Sequence, residues 1–471
     1  MVTPIDPASV AFLIAESRNV PMHVGGLQLF ETPEDAGPGY VRGIYERSLS
    51  EAEDVAPLFL KHPRRSLTTA GQYVWERDEQ FDIEHHVRHN ALPEPGRVRE
   101  LLELVSRLHG QRLAHERPLW ESHLIEGLRD GRIAMYTKLH HSLVDGVSAM
   151  RLLQSTFSTD PDERDMPAPW ARRRRPPAEP SSATAVEAVK DLAEVPVSAL
   201  RSAVGVLGEA AGLPAALTRT LRSGMRNETS AVAFDAPRTI FNQSITGARR
   251  FAAQDWELDR FKRIGKATGS TLNDVVLAMC SGALRRYLVE QDALPDRSLI
   301  AMVPVGLDAK NAQTASASGG NKVGALMVRL GTDEPDPADR LRVVHASMRD
   351  GKEALGSMSQ MQIMAMAALG VAPAVLWPAL RMQGVMRPPF NLVISNVPGP
   401  RQQVYYNGAR LAGMYPASIP LHGQAMNITC ASYADSLGFG LTGCRRTAPH
   451  LQRLLTHLDD ELVLLESAAG V

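Results

Sequence analysis

The sequence predicts an α/β protein of two lobes with mixed sheets, and three observations carry that prediction. The chain has 471 residues, more than one hydrophobic core accommodates, since cores stop growing near roughly 250 to 300 residues. From Asp160 the run DPDERDMPAPWARRRRPPAEPSSATA is dense in proline and charge, with arginine at each position from Arg172 to Arg175. No apolar period survives there, so it reads as an exposed linker. On both sides of it, strand-like and helical patterns mix without a strict βαβ repeat, which argues against a barrel. The expected division is a first lobe at 1–160, linker and crossover helices at 161–240, and a second lobe at 241–471.

In the first lobe, Val24 to Phe30 and Ile133 to Leu139 read as strands, and Val98 to Leu113 carries apolar residues at helical spacing. Helical periodicity resumes from Ala185 to Met225, broken at Pro196 and Pro214. The second lobe offers strands at Leu299 to Val305, Val323 to Leu330, Phe390 to Ser395, Met426 to Tyr433 and Leu437 to Leu441. Its helices fall at Leu258 to Thr268, Leu272 to Gln291 and Leu451 to Ser467.

The formal net charge is −1 and aromatic residues make up 5 %. Such a chain has neither the basic field nor the stacking surfaces that draw proteins to nucleic acid. Cys280, Cys430 and Cys444 form no CxxC pair and read as buried thiols of a cytoplasmic protein. The N-terminus lacks the basic region and apolar length of a signal peptide. Ile363 to Leu380 is free of charge, but Gly370, Pro373 and Pro378 interrupt it. It therefore reads as a buried, proline-broken helix pair before a tunnel-lining or interfacial segment, and least as a membrane span.

Chemistry concentrates in HHSLVDG, residues 140–146. Ile133, Met135, Thr137 and Leu139 alternate with Ala134, Tyr136 and Lys138, which predicts a half-buried strand delivering His140 and His141 at its end. Asp145 and Gly146 then turn the chain into the apolar helix VSAMRLLQSTF. A histidine near pKa 6.5 is largely neutral at pH 7 and suits proton removal from an alcohol, with Asp145 folding back to fix the loop. The same pair would also serve as two metal ligands or as structural histidines, although no HExxH accompanies them. No GxSxG elbow and no Cys–His pairing offers a covalent nucleophile, which favours direct transfer.

HHSLVDG matches HHxxxDG, and the chain resembles bacterial wax ester synthase/acyl-CoA:diacylglycerol acyltransferases of the CoA-dependent acyltransferase superfamily. The resemblance runs from PMHVGGLQLF (21–30) through RPLWE (117–121) and TLNDVVLAM (271–279) to ISNVPGP (394–400) and SYADSLGFGLTGCRR (432–446). It implies two chloramphenicol-acetyltransferase-like lobes meeting at a tunnel, with His141 midway as general base and Asp145 orienting the loop. Gly146 would allow the turn, and His140 would pack or hydrogen-bond. Pro118, Leu119 and Trp120 match the PLW element and read as core. Asn273 and Asp274 match the ND element, where Asn273 is also a plausible N-cap. Ser395 and Asn396 end a strand from which a hydroxyl, an amide or backbone N–H groups would face a developing oxyanion. The superfamily's DFGWG element is present only as LGFGL (437–441), which leaves a lobe-bracing role there without its motif.

The activity so implied moves a fatty acyl group from acyl-CoA to a long-chain fatty alcohol, giving a wax ester, or to diacylglycerol, giving triacylglycerol. Acyl-CoA is then a substrate, and neither cofactor nor metal is expected. Such acceptors partition into lipid, so peripheral attachment to a membrane or lipid-droplet surface is expected, through part of 363–380 or through Arg172 to Arg175. A carrier-bound thioester donor and a non-catalytic lipid-binding role are the competing readings. Absent carrier domains oppose the first, and the intact His141–Asp145 pair opposes the second.

Overall fold

The structure, a computed structural model, describes residues 3–65, 69, 71–144, 146–172, 236–306, 323–356 and 387–471. In chain order its strands are β1 (Thr3–Pro4), β2 (His23–Glu31), β3 (Lys61–Arg65), β4 (Tyr73–Arg77), β5 (Val87–Ala91), β6 (Trp120–Glu126), β7 (Ile133–His140), β8 (Arg249–Glu257), β9 (Ile300–Gly306), β10 (Val323–Arg329), β11 (Leu392–Val397), β12 (Tyr405–Tyr406), β13 (Ala409–Ala417), β14 (Met426–Tyr433) and β15 (Ser436–Cys444). The helices used below are α1 (Pro7–Ala15), α2 (Tyr40–Ser50), α3 (Ile83–His86), α4 (Val98–Gly110), α5 (Gly146–Gln154), α6 (Leu258–Thr268), α7 (Leu272–Glu290), α8 (Pro337–Gly356) and α9 (Arg453–Ala469).

Two six-stranded sheets form the lobes, ordered β12-β13-β2-β7-β6-β5 and β10-β9-β11-β14-β15-β8, with a small β1-β4-β3 sheet beside the first. Both are mixed: β5 runs parallel to β6, and β11 runs parallel to β9 and β14. The second sheet's core takes Val276, Cys280 and Leu284 from α7, Val344 from α8 and Leu458 and Leu462 from α9. The three cysteines are free and buried.

The first sheet is buried on both faces, which corrects the half-buried reading of 133–139. Every residue of β7 is buried, because Ala134 and Tyr136 pack beneath Leu101 and Val105 of α4 while Ile133 and Met135 pack with Ile44 of α2 and Met150 of α5. Its polar members are satisfied internally. Thr137 Oγ1 lies 2.9 Å from Ser122 Oγ, and Lys138 Nζ donates to Leu108 O (3.0 Å) and Gln111 O (2.9 Å) beside Glu121 at 3.1 Å. A buried lysine thus closes the C-terminal carbonyls of α4 onto the strand that carries the histidines.

Residues 405–417, beyond the expected boundary at 241, supply β12 and β13 to the first sheet. β13 pairs antiparallel with β2 from Arg410↔Glu31 to Ala417↔Gly25. LGFGL does brace the lobes: a Cβ at Gly440 would lie 1.8 Å from Pro416 O, and one at Gly438 would lie 2.3 Å from Met414 O. Two glycines let β13 lie directly on β15, so the lost aromatic of the motif does not remove the contact.

The linker reading also needs correction where it is described. Met166, Ala168 and Trp170 are buried, and the Trp170 ring lies 5.2 Å from that of Trp120. Met166 N donates to Asn407 Oδ1 (2.8 Å), and Ala168 N donates to Glu51 Oε2 (2.8 Å). Pro169 and Ala171 are buried with them, so Met166 and the run 168–171 pack inward although neither a helical nor a strand period marks them. The expected crossover helices and Arg173 to Arg175 lie outside the described residues, as does the apolar segment 363–380. Among the described residues no helix is long and apolar enough to cross a membrane.

Candidate active site

β2 and β7 pair with His23 opposite His140, so the end of a central strand presents the histidines beside the start of its neighbour. His140 is fully buried. Its Nδ1 lies 2.7 Å from Ser142 Oγ and accepts from Ser142 N at 3.1 Å, which leaves the proton on Nε2, facing Glu16 Oε1 at 3.7 Å. Burial is the main cause that brings its pKa down to about 4, so it is neutral at pH 7.

His141 is half-buried at the mouth of the loop. Its backbone N–H donates to Met22 O at 2.8 Å, and its ring stacks on Phe12 of α1 at 4.1 Å and 20°. The N-terminal segment therefore holds the second histidine by backbone and ring. Asp145 lies outside the described residues. Gly146 begins α5, and at the other end of that helix Gln154 Nε2 donates to Pro398 O at 3.2 Å. The histidine loop is thus tethered to the turn that follows β11.

Glu16, which sequence reasoning missed, joins these parts. Its side chain has no solvent exposure, accepts from Met22 N (3.0 Å) and His115 Nε2 (2.6 Å), and lies 3.2 Å from the Arg112 guanidinium. Burial pushes its pKa up, but the His115 hydrogen bond, the Met22 N–H and the two histidines outweigh that and hold it below the ordinary value. The only signal in the sequence is an acid closing the apolar run VAFLIA.

Glu16, His115 and His140 are also a geometric candidate for a metal, with ligand atoms within 4.8 Å of one another. The donor chemistry does not suit it. His140 offers a protonated Nε2, and Arg112 already places a cation against the carboxylate.

A second polar network backs the loop. His109 Nε2 donates to Ser418 O (2.8 Å), its Nδ1 accepts from Tyr136 (2.7 Å), and His23 Nε2 donates to His109 O (2.9 Å). Burial takes the pKa of His109 down to about 3. Trp120 is fully buried, donates to Phe59 O (2.9 Å) and stacks on His86, so PLW is core as expected.

Asn273 is not the N-cap. Thr271 is, in a capping box with Asp274 whose side chain also takes the His345 Nδ1 proton at 2.8 Å. Threonine two residues earlier has the hydroxyl at the right offset, which leaves Asn273 in the first turn. Ser395 and Asn396 lie inside β11, and Ser395 O accepts from the Cys430 thiol. No hydrogen bond among the described residues joins either to His140.

Two mixed-sheet lobes with paired histidines at a central strand end define the class, and the comparisons agree. Residues 5–276 match the wax ester synthase/diacylglycerol acyltransferase catalytic domain, and 319–466 match the C-terminal domain of the same proteins. The chain belongs to the wax ester synthase/diacylglycerol acyltransferase family. It is 48 % identical over 465 residues, 99 % of each chain, to a probable diacylglycerol O-acyltransferase of Mycobacterium tuberculosis. A solved wax ester synthase/diacylglycerol acyltransferase from Marinobacter aquaeolei VT8 is 41 % identical and superposes over the whole of both chains with a TM-score of 0.78. The starter condensation domain of rhizomide synthetase, 13 % identical with a TM-score of 0.56, shares the fold.

Proposed function

We propose that the protein transfers a fatty acyl group from acyl-CoA to the hydroxyl of a long-chain alcohol or diacylglycerol, with His141 as general base. The observation that carries this reading is His141 held half-buried on Phe12 and Met22, in a chain of this family. His141 takes the hydroxyl proton, and the acceptor oxygen attacks the thioester carbonyl. The tetrahedral intermediate expels the CoA thiolate, which regains a proton from the His141 imidazolium. Asp145 orients the loop, and Gly146 lets it turn into α5. His140, neutral and buried, is a structural partner of this base. Ser395, Asn396 and Asn273 are supporting candidates around the reacting centre, the first two for the oxyanion.

Donor and acceptor would enter a tunnel between the lobes from opposite sides, with the acceptor drawn from a membrane or lipid-droplet surface on the cytoplasmic side. The test is thiol release from palmitoyl-CoA with hexadecanol or a diacylglycerol, with ester confirmed by chromatography. His141→Ala is expected to lose at least about 10²-fold in kcat. Acceptor-dependent release at an undiminished rate in His141→Ala would overturn the assignment.

A further inference from the structure

The rings of Phe12 and His141 have centroids 4.1 Å apart and planes inclined by 20°. Aromatic pairs in offset or edge-to-face contact settle at roughly 4.5–7 Å, so here the two faces largely overlap. The stacks on His86 differ. That ring lies between Phe81 (5.1 Å) and Trp120 (4.7 Å), is buried, and has its pKa brought down to about 4 chiefly by burial, so its neighbours pack around a neutral imidazole. His141 is half-buried, where an imidazolium keeps part of its hydration.

Overlapping faces suit a charged imidazole better than a neutral one. The negative face of a phenyl ring repels the similar face of a neutral imidazole and attracts a cation within about 6 Å. The contact therefore strengthens as His141 gains its proton. An interaction stronger after proton transfer than before it lowers the barrier.

The fold fixes Phe12 in this place. Asp6 caps α1 by accepting from Ser9 N (2.9 Å), Phe12 O accepts from Glu16 N (3.1 Å), and Leu13 is buried with Ile5, Trp75 and Leu119. The Phe12 ring packs against Val20, Met22 and Cys444. No side chain within α1 is charged, so the helix brings the ring to His141 without an ion of its own.

We propose that Phe12 is a positioning residue for acyl transfer, whose ring face holds the His141 imidazole and binds the imidazolium more tightly than the neutral form. The proposal rests on the general-base reading for its effect on rate, and on the ring contact alone for its effect on His141 titration. The other charged and titratable groups around His141 are Glu16 at the end of α1, His140 on the same loop, and His115 and Arg112 around Glu16; Asp145 lies outside the described residues. Changing position 12 alone leaves all of them in the chain.

The full chain is prepared with isotope-labelled histidine and with mono-, di- or pentafluorinated phenylalanine at position 12, alongside Phe12→Leu. Fluorine withdraws charge from the ring face and nearly preserves its shape. NMR titration follows the His141 ring, identified by the signal that His141→Ala removes. Its pKa should fall stepwise with fluorination, and by about half a unit in Phe12→Leu. With palmitoyl-CoA and hexadecanol, the acid limb of kcat/KM should move down by about the same half unit while its plateau falls about three-fold. Thermal unfolding confirms that the variants are folded.

A His141 pKa unchanged across the fluorinated series would overturn the proposal. So would a plateau that falls while the acid limb stays, the signature of lost packing alone. Undiminished transfer by His141→Ala would sink the general-base reading and the rate effect with it, while the titration series still reads the ring contact.

Discussion

Glu16 is a carboxylate with no solvent exposure whose oxygens take Met22 N, His115 Nε2 and the Arg112 guanidinium. Substituting it by alanine leaves a cationic side chain and a buried backbone N–H without their acceptor. Leaving the buried Met22 N–H without its acceptor costs about 1–3 kcal/mol, whereas Arg112, 43 % exposed, regains water and adds little. Met22 carries that loss into the site because its carbonyl holds His141 N–H at 2.8 Å, and a displacement of about 1 Å at a catalytic group costs on the order of 10²-fold in rate.

Glu16→Ala is therefore expected to lower kcat about 10²-fold with little change in the KM for acyl-CoA, and to lower unfolding free energy by about 1–3 kcal/mol. Glu16→Gln keeps an acceptor oxygen and loses only charge, so its stability cost should be smaller, about 1 kcal/mol. Urea unfolding and steady-state thiol release read the two effects separately. If Glu16→Ala unfolds within about 1 kcal/mol of wild type and keeps kcat within about three-fold, the hub argument is wrong.

Two further predictions follow from the packing. His86, His109 and His140 are buried with folded pKa values of about 4, 3 and 4, in each case chiefly because burial disfavours the cation. Values depressed below about 6.5 mean that the unfolded chain binds more protons, so this contribution is complete above pH 6.5 and lost as pH falls toward 4. At pH 5 the loss is about 2 kcal/mol per histidine, so Tm should fall steeply between pH 6.5 and 5, and a flat Tm over that range would count against the burial assigned to them. Gly440→Ala places a methyl 1.8 Å from Pro416 O, whereas Gly37→Ala meets nothing within 4 Å. The first should cost about 1–3 kcal/mol in urea unfolding and the second should be near neutral; equal effects would contradict the strand contact.

Local pattern made much of this legible. Met426–Tyr433 and Leu258–Thr268 fall where alternation and helical spacing put them, and the histidines stand at the end of β7 as the strand pattern required. What escaped was non-local. Ala409–Ala417 shows little apolar alternation, because from Gly413 onward β13 is buried on both faces within the first sheet, and its partner β2 is nearly four hundred residues earlier in the chain. Glu16 and His115 are unremarkable in sequence, and only folding brings them to His140 from 124 and 25 positions away. Met166, Ala168 and Trp170 were masked by prolines that break helices but tolerate an extended edge.

The strand β13 also sets a timetable for synthesis. Until Ala417 emerges from the ribosome, β2 is an open edge on an apolar sheet, with its row of backbone donors and acceptors exposed to any passing strand. At about 5–20 residues per second, the interval between the appearance of Glu31 and of Ala417 is roughly twenty to eighty seconds. A nascent chain of this design must be shielded for that whole interval, and a fragment ending before residue 409 would carry His140 and His141 on a sheet that never closes.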